Sequence, residues 1–140
     1  MALLLGVLLV SVLPQLRRQW IDLRAERVAL DVAQGWRVAR TLAVTQGRQV
    51  DWTWDAAART VRLAAADPTV PLESRWDRPR AVPEGVALSV RQEGRAVERV
   101  SFFPDGAAGD APVTCTIGAT GTTLHYDITL DPVTGQARLR

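Results

Sequence analysis

The chain has 140 residues, with 17 basic and 15 acidic side chains and one cysteine. This length allows one domain with a modest core and excludes a second domain. Every basic residue is an arginine, and a net charge of only +2 does not by itself indicate a nucleic-acid partner. Cys115 has no second cysteine for a disulfide, and its place in a strand pattern predicts a small buried side chain.

The chain opens with an uncharged apolar run that ends at Pro14. A membrane-spanning helix needs about 20 apolar residues, so the run is about two-thirds of a span. A signal peptide needs a basic segment before such a run and small residues at a cleavage site after it, and the sequence shows neither. We therefore interpret residues 1–14 as the second part of a membrane helix, with Leu3, Leu4, Leu5, Val7, Leu8, Leu9, Val10, Val12, Leu13 and Pro14 as its members.

Residues 15–46 are predicted to continue as an amphipathic helix. Gly47 follows in the position where glycine commonly ends a helix. Apolar residues recur every three or four positions, and we expect this stripe to pack on the β domain of residues 47–140. Its members are Ile21, Ala25, Val28, Val32, Trp36, Ala39 and Ala43.

The β domain is predicted from short alternating segments separated by turn residues. Hairpins are expected over residues 50–63, 86–103 and 113–130, and a short strand over residues 136–140 closes the chain. In the third hairpin, Leu124, Tyr126, Ile128 and Leu130 are predicted to face the core and His125 the solvent. The whole pattern predicts an α+β fold, in which a long N-terminal helix packs on an antiparallel β-sheet or small β-sandwich.

Residues 67–85 contain four prolines and are predicted to form a long surface loop. Long loops of this kind are often functional, so this one is a candidate contact region for a partner. Trp76 lies between Arg75 and Arg78 and either anchors a partner or holds its own loop on the domain. We favour the second interpretation.

The sequence offers no pattern typical of an enzyme. His125 is the only histidine, and no Cys/His spacing indicates a metal. Asp51 and Asp55 lie on the wet face of a predicted strand, where carboxylates are usually solvated. We therefore expect no catalytic residue, no metal and no cofactor.

Arg138 and Arg140 lie two residues apart on one face of the last predicted strand. Two guanidinium groups in this arrangement are able to hold phosphates. The alternative, which we favour, is a charged edge strand that resists pairing with another sheet.

Three segments, in order along the chain, are similar to passages of one family. Residues 38–50 resemble its "AR-x-x-A-x-x-x-G-x-x-V" passage, residues 102–106 its "F-x-P-D-G" turn, and residues 131–138 its closing "D-x-x-T-G-x-x-R". The family is the type IV pilin-like proteins, and within them the GspH/FimT group of minor pseudopilins and minor pilins.

This resemblance implies a minor pseudopilin of a type II secretion system. Its helix anchors it once in the bacterial inner membrane, its β domain lies in the periplasm, and it assembles with other pseudopilins at the tip of a short fibre. Family members begin with a leader and a glutamate site that prepilin peptidase cuts and methylates. We expect that the chain is truncated or begins late with respect to that segment.

Two alternatives remain open. FimT-like minor pilins of type IV pili bind DNA during uptake through a C-terminal Gly-Arg-x-Arg signature. Residues 135–140 keep two arginines but not the Gly-Arg step, so DNA is the less favoured partner. The third hypothesis is an unrelated membrane-anchored periplasmic β domain.

Overall fold

The computed structural model describes the backbone of residues 2–72, 75–121 and 123–140, together with their side chains except those of residues 2–19 and 21. Within these ranges, one helix, α1 (Ala2–Gln46), precedes a set of antiparallel strands. The predicted α+β fold is confirmed. The segment from Leu3 to Pro14, which was expected to lie in the membrane, is helical. The side chains of this segment are outside the described residues.

No helix in the described residues is both long enough and apolar enough to cross a membrane.

The described residues contain nine strands: β1 (Val50–Asp55), β2 (Thr60–Ala65), β3 (Arg80–Ala81), β4 (Val86–Gln92), β5 (Arg95–Ala96), β6 (Arg99–Phe102), β7 (Val113–Ala119), β8 (His125–Leu130) and β9 (Ala137–Leu139). A short 3-10 turn, Arg75–Asp77, precedes β3. These strands form two sheets. The first has four strands in the order β3-β2-β1-β6, and the second has five in the order β5-β4-β7-β8-β9, with every pair antiparallel.

The predicted apolar stripe of α1 packs on both sheets. Its contacts reach β1 and β6 in the first sheet and β4, β7, β8 and β9 in the second. Burial on the β domain is confirmed for Ala25, Val28, Val32, Trp36, Ala39 and Ala43, while the side chain of Ile21 is outside the described residues.

Two indoles lie against the helix at Gly35. A Cβ at this position would lie 3.4 Å from the Trp76 ring and 3.6 Å from Nε1 of Trp52. Trp36 meets Trp52 edge to face, with ring centroids 5.6 Å apart. Glycine inside a helix costs about 1 kcal/mol relative to alanine, and a Cβ at Gly35 would make ordinary van der Waals contact with the rings of Trp76 and Trp52.

The second predicted hairpin differs from the structure, because its return strand is divided between the two sheets. Val97 still donates its N–H to the carbonyl of Val90 in the second sheet, whereas the next residue, Glu98, accepts from Trp54 N–H in the first. The chain therefore changes sheets at residues 97–98. An alternating pattern does not reveal such a change, since the side chains keep the same period on either side of it.

Two side chains lie differently from the sequence-based prediction. Asp51 was expected on a wet face, but it is only 7% exposed; Gln49 donates to its carboxylate at 3.1 Å, and Arg99 lies 3.9 Å away. The cause is the pairing of β1 with β6, which places Ser101 opposite Asp51. Leu124, expected in the core, is exposed because β8 begins one residue later, at His125.

Candidate functional site

The helix carries a second apolar stripe on the side facing away from the sheets. Trp20, Leu23 and Leu30 are 64%, 61% and 52% exposed, and they follow one another at steps of three and seven residues. With 3.6 residues per turn, these steps place all three on one face, opposite the face that holds Ala25 and Ala29. We call these three side chains the outer stripe.

Exposed large apolar side chains are informative when they cluster, because single ones are common on any surface. The outer stripe lies on a helix that is already held by its opposite face, so the β domain does not need it for folding. Arg27, between Leu23 and Leu30 on the same face, is also exposed. This arrangement suits packing against another helix, with a long charged side chain that can lie along an apolar surface.

Three segments that are far apart in the sequence meet at Arg40. Its Nε donates a hydrogen bond to the carbonyl of Thr134 at 2.7 Å, and its guanidinium group passes beside Gly106 and Gly135. A Cβ at Gly135 would lie 2.1 Å from the Gly106 carbonyl oxygen and 2.9 Å from Arg40 Cδ. Both glycines have positive φ, +90° and +68°, which side chains other than glycine rarely adopt. We call Arg40, Gly106, Thr134 and Gly135 the Arg40 junction.

The two loops of the Arg40 junction are also fixed by hydrogen bonds of their own. The Asp131 carboxylate accepts from the N–H groups of Val133 and Thr134 at 2.9 and 3.3 Å. The N–H of Ala108 donates to the carbonyl of Pro132 at 2.8 Å, which ties one loop to the other. The junction therefore fastens both loops to the helix.

Arg138 and Arg140 are exposed, as predicted, and neither forms an ion pair with another described residue. The strand register aligns Arg91, Thr114, Thr129 and Arg138 in one row across β4, β7, β8 and β9. These side chains lie on the face of the second sheet away from its core. In this row, the hydroxyl groups of the two threonines lie between the two arginines.

The loop of residues 67–85 does not present Trp76 at its surface. The indole is only 8% exposed, lies against Gly35 of the helix, and has the Arg80 guanidinium 3.7 Å above its centroid. Arg62 in β2 pairs with Asp77 at 3.2 Å and holds the same loop on the first sheet. Trp76 therefore secures its own loop, and a partner contact through Arg75 and Arg78, which are exposed, stays a prediction.

The single histidine and cysteine are not placed together for chemistry. His125 is exposed, with Nε2 3.7 Å from Asp127, whose carboxylate also accepts a 2.9 Å hydrogen bond from Thr116. Burial, and secondarily the charge of Asp127, raises the pKa of the Cys115 thiol to about 12. Among the described residues, no three His, Cys, Asp or Glu side chains are grouped so that they would hold a metal ion.

Comparison with known proteins gives a family match that covers more than half of the chain. The family described as type II transport protein GspH matches residues 28–135. The chain belongs to this family. A comparison with curated protein sequences gives no significant match.

Solved structures show the same fold as this GspH-family chain. A structure of the minor pseudopilin EpsH from the type 2 secretion system of Vibrio cholerae is 16% identical and has a TM-score of 0.68, covering 84% of this chain and 96% of that one. The type IV minor pilin FimU of Pseudomonas aeruginosa, in one crystal form, is 18% identical with a TM-score of 0.62, covering 82% of this chain and 91% of that one.

The Arg40 junction explains why the three GspH-family motifs contain these residues, because the motifs meet there in the structure. Each of the three motifs contributes to it: Arg40 from the first, Gly106 from the second, and Thr134 with Gly135 from the third.

The outer stripe was not predicted from the sequence. Its signal was present as the steps from Trp20 to Leu23 and Leu30, but arginines and acids between them obscured it.

Proposed function

We propose that this chain is a minor pseudopilin of a type II secretion system and joins a fibre of pilin-like subunits through α1. The observation that carries the proposal is the outer stripe of Trp20, Leu23 and Leu30, which is exposed on a helix whose other face is buried by its own domain. Membership of the GspH family and the fold shared with EpsH support it.

Under this proposal, two faces of α1 pack on two different surfaces. One face holds the β domain through small and β-branched side chains, and the other packs on a neighbouring subunit. Burying a leucine-sized side chain contributes roughly 1.5–3 kcal/mol, and less for one that is already partly covered. A few such side chains per subunit are enough to stabilise an assembly in which the same contact repeats along a fibre.

We further propose that the apolar residues before Pro14 hold the subunit in the bacterial inner membrane as a single pass before assembly, with the β domain in the periplasm. Moving that segment from lipid into a bundle of helices costs little hydrophobic energy, because both surroundings are apolar. Prepilin peptidase is the expected processing partner wherever the family's leader and glutamate site precede this segment.

The experiment replaces Leu23 and Leu30 with glutamine in the chromosomal gene. Glutamine keeps the helix propensity close to that of leucine, so the fold should survive while the outer stripe loses its apolar contacts. We expect protein secretion and cross-linking to other pseudopilins to fall at least ten-fold, with the thermal midpoint unchanged. Arg24→Gln, an exposed helix position off the stripe, is the matched control. Normal secretion and cross-linking by the double variant would refute the proposal.

A FimU-like or FimT-like minor pilin that contacts DNA is the second candidate. The row that runs from Arg91 to Arg138 and the exposed Arg140 favour it, since phosphates bind arginine side chains and hydroxyl groups. Its test is the affinity of the full chain for DNA as a function of salt. A steep salt dependence that is lost in Arg138→Ala with Arg140→Ala supports this candidate, and no measurable binding removes it.

A further inference from the structure

The first sheet ends at β6, and no strand of the described residues pairs with the outer edge of β6. Edge strands present unpaired N–H and C=O groups, and proteins usually keep them short. Among the described residues, the other sheet edges, β3, β5 and β9, have two, two and three residues, whereas β6 has four. The longest edge strand is thus the one most able to accept a further strand.

The backbone of β6 directs two residues outward. Trp54 donates its N–H to the carbonyl of Glu98, and the antiparallel register continues with Trp52 opposite Val100. Bonded and non-bonded pairs alternate in such a ladder, so the N–H and C=O groups of Arg99 and Ser101 point away from β1. No backbone hydrogen bond joins these groups to another described residue. The edge therefore offers two donors and two acceptors.

A groove runs along this edge. Arg99, Ser101 and Phe103 line one side, and Gln92, Glu93 and the loop of residues 108–111 line the other. Gln92 donates to the carbonyl of Ala111 at 3.1 Å, which fixes the far wall. The groove volume is about 330 Å³. An extended chain rises by about 3.3 Å per residue, so a groove along two outward-facing residues suits roughly three residues of a strand.

The charged side chains that line the groove indicate which charge an added strand should carry. Glu93 and Asp110 are exposed on its far wall, and neither forms an ion pair with another described residue. Arg99, on the near side, lies 3.9 Å from the buried carboxylate of Asp51, which partly balances its charge. The remaining charge is negative and complements a basic side chain.

We propose that β6 accepts an extended segment of a partner protein that adds a strand to the first sheet and places an arginine or lysine beside Glu93 and Asp110. Backbone hydrogen bonds to Arg99 and Ser101 give this segment its alignment, and the two acids give it charge selectivity. This surface lies on a different element from the outer stripe of the helix, and the proposal does not depend on the GspH-family role.

The test is a titration of the isotope-labelled full chain in detergent with the peptide acetyl-Thr-Val-Arg-Val-Thr-amide, followed by NMR. We expect shifts confined to β6 and the groove, slower amide exchange at Arg99 and Ser101, and at least ten-fold weaker binding of the peptide in which glutamate replaces arginine. Ser101→Pro removes one outward N–H and should weaken binding by roughly ten-fold.

Ala96→Pro is the matched control, because the ladder of β5 also directs the N–H of Ala96 outward, at the other sheet. It should bind the peptide like the unmodified chain. If Ser101→Pro fails to fold, the double variant Glu93→Gln with Asp110→Asn takes its place and should bind at least five-fold more weakly. Absence of binding at millimolar peptide, or binding that survives these substitutions, overturns the proposal. Self-association that Ser101→Pro abolishes would instead assign the edge to a second copy of this chain.

Discussion

Replacing Gly135 with alanine tests the Arg40 junction most directly. The new Cβ would lie 2.1 Å from the Gly106 carbonyl oxygen, where real contacts are no shorter than 3.0 Å. One of the two loops must therefore move by about 1 Å. The same Cβ would lie 2.9 Å from Cδ and 3.1 Å from Nε of Arg40, so the Arg40 side chain must move as well, and its 2.7 Å hydrogen bond to the Thr134 carbonyl is lost.

The magnitude follows from two contributions. A side chain at the left-handed φ of +68° costs about 1–2 kcal/mol. Loss of a charge-assisted hydrogen bond adds about 1.5–3 kcal/mol, and the lower end applies because this bond is exposed. We expect Gly135→Ala to lower the free energy of unfolding by about 3 kcal/mol.

Gly47→Ala is the matched control. Gly47 has a similar φ of +63°, but a Cβ there would meet nothing within 4 Å, so only the backbone contribution of about 1–2 kcal/mol applies. The assay is equilibrium urea unfolding of both variants and the unmodified chain in the same detergent. Equal losses in the two variants would show that the loops are not packed on Arg40, and the junction would have no role in stability.

Four further predictions concern other parts of the domain. Trp76→Ala should lower the free energy of unfolding by about 2–4 kcal/mol in urea unfolding, because it empties the space beside Gly35; an unchanged value would mean that the indole faces solvent. Asp131→Ala removes two capping hydrogen bonds and should lower the thermal midpoint by an amount equivalent to about 1 kcal/mol, whereas Asp110→Ala should leave it unchanged. Cys115, with its pKa raised from 9.0 to about 12, should resist alkylation at pH 8 until the chain unfolds. Because the unfolded thiol ionises first, the free energy of unfolding should fall as pH rises from about 9 towards 12, by at most about 4 kcal/mol, and Cys115→Ala should abolish this fall.

The sequence by itself determined the order and type of the long elements, but not the short strand β3 inside the predicted loop or the division of one predicted strand into β5 and β6. The repeat of apolar residues along residues 21–43 placed one face of the helix on the sheets, and alternation in segments such as Val50–Asp55 identified the strands. Both signals are local, because helix and strand periods are set by neighbouring residues. Motif resemblance added the family, since Arg40, Gly106 and Gly135 stand in the three segments that resemble the motifs of the family.

Only the tertiary structure decided how these elements meet. Three features depend on strands and helices that are far apart in the chain. They are the change of sheet at residues 97–98, the burial of Asp51 and the packing of Trp76 against Gly35. The junction of Arg40 with Gly106 and Gly135 depends on the same kind of distant contact. Local periodicity carries no information on which edge of a sheet stays open. The groove beside Arg99 and Ser101 was therefore visible only once the register of β6 on β1 was known.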